Sequence, residues 1–216
     1  MEQFGSLLFA LPILLFSVIV HECAHGLVAL WHGDPTAKHA GRLTLNPIPH
    51  LDLYGSILFP VLLIVMRAGM LFGWAKPVPV NVLNLRDPAN DSLKVAAVGP
   101  ISNVLLGFVF AAVLSVSVRI WDPVPDALMG VCIWGLRLNC VLAIFNLLPI
   151  PPLDGHWLLL RFLPPEAAEA YQRIGFMGIF LILLLFWIPG VSEVLVQKPV
   201  FFLMTWILRL AGVPGV

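Results

Sequence analysis

The stretch Ser17-Val18-Ile19-Val20-His21-Glu22-Cys23-Ala24-His25-Gly26 lies inside an apolar run that extends from about Ser6 to Trp31. A bilayer core about 30 Å thick needs roughly 20 apolar residues in a helix, so this run is long enough to cross one. Two histidines and a glutamate are costly in such a helix, and ionisable groups at that depth are functional candidates by default. His21 and His25, four residues apart, project from one helix face and can offer ring nitrogens to a single metal ion. Glu22 then stands beside the metal's open position, where it can take a proton from water and pass it to a leaving amine. The plainer alternative is a pair of histidines hydrogen-bonded between helices, with a structural glutamate. Cys23 is turned away from both histidines and reads as packing.

The rest of the chain has the same character. Of its 216 residues, 60% are hydrophobic and 11% charged, with mean hydropathy +0.96, where soluble domains run at roughly 45–50% and about 25%. Polar side chains are too few to cover a water-soluble globule, which excludes a soluble enzyme, a disordered tail and a fibrous repeat. Twelve Lys plus Arg balance twelve Asp plus Glu with no basic block, so no nucleic-acid partner is expected. Cys23, Cys132 and Cys140 are an odd set in apolar runs and imply no disulfide framework. Further apolar runs cover Tyr54 to Trp74, Val95 to Val118 and Ala127 to Leu148, with shorter ones at about Ile174 to Ile188 and Val200 to Leu210. The expectation is an all-α, polytopic membrane helix bundle of about five to six transmembrane segments. Residues 1–216 form a single integral membrane domain, with a core at about 6–160 and C-terminal helices at 174–212. No Lys or Arg precedes Lys38, so the first run lacks the basic flank of a secretory signal and reads as a retained span.

A catalytic zinc site usually has three protein ligands and one open position. The third ligand could come from His32, Asp34, His39, His50, Asp52, Asp154 or His156. Asp154 is favoured because it follows a long apolar helix in Leu147-Leu148-Pro149-Ile150-Pro151-Pro152-Leu153-Asp154-Gly155. Its three prolines end the helix, and broken backbone at membrane depth is tolerated only when buried or lining a cavity. Ordinary turn chemistry is the alternative for Asp154, and His156 could ligate in its place or hydrogen-bond to a ligand from behind. His32, His39 and His50 flank the first linker and read as solvated, with a second metal site as the alternative. Asn103 and Asn139 read as hydrogen-bonding residues between helices. Arg67 fits a turn, and Arg137 has no nameable partner.

His21-Glu22-Cys23-Ala24-His25-Gly26 in one span, Ala97-Val98-Gly99-Pro100-Ile101-Ser102-Asn103 opening another, and Phe145-Asn146-Leu147-Leu148-Pro149-Ile150-Pro151-Pro152-Leu153-Asp154-Gly155 closing a third together carry a resemblance. Over roughly residues 10–160 the chain resembles the site-2 protease family of intramembrane zinc metalloproteases, in a compact form with no linker long enough for a PDZ-like insertion. The resemblance implies one Zn2+ per chain held by His21, His25 and Asp154, with Glu22 as general base. It also implies that Asn146 positions substrate or the developing oxyanion. His156 is a departure, because many members have a second glycine there. The implied activity is that of a zinc metalloendopeptidase cutting within or near transmembrane segments, with a transmembrane protein or peptide as substrate and the lipid bilayer as its medium. The rival reading is a divalent-metal transporter using the same His and Asp cluster. Glu22 and the broken Asp154 loop favour the enzyme, since a transport site needs no general base.

Topology tests whether these ligands can meet. If every apolar run crossed fully, Asp154 would fall near the face opposite His21 and His25. Either the proline-rich break folds back into the membrane, or residues 54–84 form a re-entrant or strand-like loop; Pro60, Arg67 and Gly69 interrupt that region. A re-entrant excursion places Lys38, Arg42, Lys76, Arg86, Lys94, Arg161, Arg173 and Arg209 on one side against Arg119 and Lys198, the bias of a cytoplasmic face. The expected setting is the prokaryotic cytoplasmic membrane, with the active site toward the cytoplasm. In the segment from Gly73 to Asn81, the alternation Pro77-Val78-Pro79-Val80 reads either as an edge strand that binds an extended substrate or as a proline-rich connecting loop. The family resemblance tips this toward the strand-like loop.

Overall fold

The computed structural model describes residues 2–58, 61–62, 65–66 and 75–215. Its helices are α1 (Glu2–Trp31), α2 (Thr36–His39), α3 (Pro88–Ile120), α4 (Asp126–Asn146), α5 (Gly155–Leu160), α6 (Pro165–Gln172), α7 (Gly178–Trp187) and α8 (Lys198–Leu210). Short 3-10 and π-helical turns join them, and the described residues contain no β-strand. Among the described residues, three helices are long and apolar enough to cross a bilayer: α1 from Ala10 to Trp31, α3 and α4. The two expected C-terminal spans are present as helices of 10 and 13 residues, shorter than one straight crossing needs. Much of the expected run from Tyr54 to Trp74, including Pro60, Arg67 and Gly69, lies outside the described residues.

Local chemistry explains where the long helices begin and end. Asp87 caps α3 by accepting the Asn90 backbone N–H at 3.2 Å, and Pro88 occupies the first turn, where its missing N–H costs nothing. The proline cluster from Pro149 follows within three residues of the end of α4.

The three long helices pack on one another, and α8 packs on α3 and α4. Ala111, Leu136, Cys140, Val200 and Ile207 form the apolar core of that second contact. Where α1, α3 and α4 meet, the buried side chains include the polar Ser17, His21, His25, Asn103 and Asn139, with a small apolar cluster of Ala29, Leu85 and Val95 between α1 and α3. Leu11, Phe16 and Leu27 of α1 and Ile101, Leu105 and Val109 of α3 point outward and are exposed. A polar interior with an apolar exterior suits lipid as the surrounding solvent.

The chain leaves and returns at one end of the bundle. Lys76 donates its backbone N–H to His50 O at 2.9 Å, and Arg86 does the same to His32 O at 2.9 Å. Residues 32–50 and 76–86 therefore share an end, as an excursion rather than a simple crossing requires. Segment 75–81 is neither helical nor paired in a ladder among the described residues.

Three single-residue expectations change. His50 is fully buried, not solvated, because the linker folds back and its Nε2 bonds to Thr44 O at 2.9 Å. His32 pairs with Asp91 at 2.9 Å, joining the end of α1 to the start of α3. Arg137 lies over the Trp134 ring, 5.7 Å from its centroid, a cation–π contact at helical spacing.

Candidate metal centre

The helical repeat of α1 puts His21 and His25 on one face, with their Nε2 atoms 3.1 Å apart. Asp154 comes to them from the turn that follows α4. After α4, bonds from Leu148 N to Phe145 O, Ile150 N to Leu148 O and Leu153 N to Ile150 O turn the chain back on itself. Gly155 closes this turn: a Cβ there would stand 2.5 Å from the Leu147 carbonyl carbon and from Leu148 O. Asp154 Oδ2 then lies 3.1 Å from His21 Nε2, and Oδ1 lies 3.3 Å from His25 Nε2.

These atoms fit a metal ion. His25 Nδ1 lies 2.6 Å from Val95 O, and a carbonyl only accepts, so the neutral ring carries its proton on Nδ1 and turns a lone pair inward from Nε2. His21 turns its own Nδ1 to Asn103 Oδ1 at 2.6 Å. Asp154 Oδ2 is buried with no hydrogen bond. Electron-rich atoms thus converge where they repel one another unless a cation lies among them. With zinc–nitrogen distances of about 2.0–2.1 Å, the edge of a ligand tetrahedron is about 3.3 Å, close to the separations seen here. A four-coordinate ion held by these three side chains would have one position left open. No second group of three His, Cys, Asp or Glu side chains converges in this way among the described residues, so His32, His39 and His50 do not form one.

His21, Glu22, His25 and Asp154 line a cleft of about 300 Å³ with Pro77, Val78, Val80, Asn146 and Trp157. Glu22 Oε2 accepts the Val78 backbone N–H at 2.6 Å. Asn146 donates from Nδ2 to Leu142 O at 3.0 Å. Pro79 is not among the residues lining the cleft, and neither is His156. The His156 Nδ1 is 2.6 Å from Leu153 O, and its ring packs on Trp157. Cys23 faces the linker, with Sγ 3.2 Å from Thr44 O.

Sequence reasoning passed over Trp157, Gly99 and the link from Asn103 to His21. Trp157 had a signal, since it follows Asp154 by three residues and so shares its side of a helical turn. The other two depend on how closely α3 approaches α1, which no local pattern records.

Comparison with known proteins gives an independent view. Residues 125–186, which include Asn146 and Asp154, match the model of peptidase family M50. YwhC of Bacillus subtilis is 39% identical over 187 residues, covering 84% of this chain and 81% of that protein. Rip2 of Mycolicibacterium smegmatis is 28% identical over 200 residues, covering 92% of this chain and 72% of its own length. MJ0611 of Methanocaldococcus jannaschii is 42% identical over 66 residues, 31% of this chain and 32% of that protein. All three carry the name "Putative zinc metalloprotease". No solved structure matches this chain.

Proposed function

This chain belongs to peptidase family M50, the site-2 protease family, and from that premise we infer that it is a zinc metalloprotease that hydrolyses peptide bonds within or near transmembrane segments of other membrane proteins. One observation carries the reading beyond family membership: His21, His25 and Asp154 converge in a cleft they share with Glu22, inside a bundle whose outer faces are apolar.

His21, His25 and Asp154 are the zinc ligands in this reading. Bound zinc supplies Lewis-acid polarisation and makes a water molecule acidic enough to react near neutral pH. Glu22 is the general base: its carboxylate holds the Val78 N–H through Oε2 and has lone pairs left to accept a proton and pass it to the departing amine. Asn146 is fixed over the cleft by its bond to Leu142 O, which leaves a second N–H and the side-chain oxygen for a bound peptide. A helical substrate hides its carbonyls in i to i−4 bonds, so it must be extended before attack. Residues Pro77, Val78, Pro79 and Val80 are the template for that extension. The prolines cannot donate and the Val78 N–H is taken by Glu22, so this segment grips a peptide chiefly through its carbonyls.

Residues 1–216 act as one domain. The cleft faces the cytoplasmic side of a prokaryotic cytoplasmic membrane, a placement supported by Lys38, Arg42, Lys76, Arg86 and Lys94 gathering at its end of the bundle.

Glu22→Gln tests the reading. In proteoliposomes the variant should keep one zinc per chain and lose cleavage of a transmembrane peptide by at least about 100-fold. Membrane proteins trapped by Glu22→Gln in native membranes should be cut by the wild type. Undiminished cleavage by the variant would defeat the general-base assignment. Zinc uptake that survives Glu22→Gln, with no cleavage by the wild type, would favour a transporter.

A further inference from the structure

A backbone carbonyl sets the tautomer of His25, but His21 faces the amide of Asn103, which could in principle present either oxygen or nitrogen to the ring. The deciding contacts lie further along the same line. Asn103 Nδ2 is 3.0 Å from Asn139 Oδ1. Asn139 Nδ2 is in turn 2.9 Å from Gly135 O and 2.9 Å from Ser17 Oγ. Ser17, Asn103 and Asn139 are all 0% exposed, so these groups must satisfy one another.

Their direction is then fixed. Gly135 O can only accept, so Asn139 must turn its NH2 toward that carbonyl and its oxygen toward Asn103. That oxygen can only accept, so Asn103 must turn its NH2 to it and its own oxygen to His21. The oxygen of Asn103 can only accept in turn, so His21 carries its proton on Nδ1 and presents the Nε2 lone pair to His25 and Asp154. We propose that Asn103 and Asn139 are positioning residues: a one-way chain of amides through which the backbone of α4 sets the tautomer and ring orientation of His21 for zinc. This rests on the zinc-ligand reading above. It differs from simple cohesion between helices, which needs only that the bonds between helices form and places no demand on what His21 receives.

Zinc affinity, measured by competition with a chromophoric chelator on the full chain in detergent, separates the two roles. Groups that orient a metal-bound histidine typically change metal affinity about 10–100-fold when removed. Asn103→Leu should weaken zinc binding by that factor. Asn103→Asp, which keeps an acceptor for His21 Nδ1–H but cannot donate to Asn139, should stay within about threefold of wild type. Mere cohesion gives the opposite order, because both variants lose the bond to Asn139 and Asp also buries a charge. If Asn103→Leu does not fold, Asn139→Leu, which does not touch His21, should still weaken zinc binding by about 10-fold. The proposal is overturned if Asn103→Leu or Asn139→Leu binds zinc as the wild type does. It is also overturned if the Leu and Asp variants of Asn103 lose affinity together, in step with thermal stability. A His21→Ala control keeps the premises apart: if it retains full zinc affinity, the ligand reading fails, and the amide chain with it.

Discussion

A methyl group on Gly99 would stand 2.6 Å from His21 Cε1 and closer still to His25 Nε2. Elsewhere in a helix, Gly→Ala gains up to about 1 kcal/mol from propensity. Here overpacking of about 1–3 kcal/mol outweighs that gain, and the imidazoles are the groups that must move. Gly99→Ala should therefore fold with near-native helix content yet fail to hold one zinc per chain at wild-type affinity; a full complement of tightly held zinc in the variant would show that the contact is slack. Single residues were legible from sequence to different degrees. His21, Glu22 and His25 stand out because four-residue spacing on one apolar helix is a local pattern. Asp154 stands out because it follows a helix-ending run with three prolines. The demands on Gly99 and Asn103 come from the approach of a second helix, and neither the Gly-Pro step nor an asparagine in a span states that distance.

At the scale of elements, segment 76–81 is held at four backbone points on three residues rather than by a partner strand. Lys76 is gripped by Arg42, whose Nη2 bonds its carbonyl at 2.5 Å, and by His50 O; Val78 is held by Glu22, and Asn81 donates to Asp34 Oδ2 at 2.7 Å. Asp34 is the buried hub, taking further bonds from the Asn84 amide at 2.9 Å, the Thr36 N–H at 3.1 Å and the Thr36 hydroxyl. Burial pushes its pKa upward, but the donors from Thr36, Asn84 and Asn81 outweigh that and hold the carboxyl below its usual range. A depressed folded-state pKa contributes stability above the unfolded value of about 3.9 and loses it as pH falls through the folded value. Asp34→Asn should therefore cost about 1–3 kcal/mol at pH 7, with the deficit shrinking as the pH drops below about 4. Thermal unfolding of both proteins from pH 7 to pH 3.5 checks this, and a deficit constant across that range would remove Asp34 as a charged hub. The alternation of Pro and Val leaves an edge strand and a connecting loop both open for this segment, and the described residues pair it with no strand. Its anchors were hidden because Glu22, Asp34, Arg42 and His50 lie far from it in sequence.

For the whole molecule, charge and topology agree at Lys38, Arg42, Lys76, Arg86 and Lys94 but not at Arg209, which was expected on their side. Gly212 O accepts from Ser115 Oγ and Arg119 Nη2, both at 3.1 Å, so the end of α8 docks at the Arg119 end of α3. Residues 32–50 and 76–94 form one end, tied by the contacts of Arg86 with His32 and of Asp91 with His32 and Lys94. Along α3, a rise of about 37 Å separates Lys94 from Arg119, more than the thickness of a bilayer core. Cysteines replacing the exposed Lys38 and Arg86, in a background without the three native cysteines, should be labelled from one face of the membrane, and one replacing Arg119 from the other. Labelling of Lys38 and Arg86 positions from opposite faces would rule this topology out. The all-helical membrane class could be read from composition and run lengths. The paired ends of the excursion could not, because the bond between residues 76 and 50 depends on tertiary closure. The convergence of α1 with the turn after α4 also bears on how the protein is made. The ribosome finishes α1 about 120 residues before it reaches Asp154, so the emerging helix enters the bilayer with two histidines and without Asp154 to complete the cluster. A truncated or stalled nascent chain cannot assemble the centre, and synthesis thereby delays the appearance of that centre until most of the bundle exists.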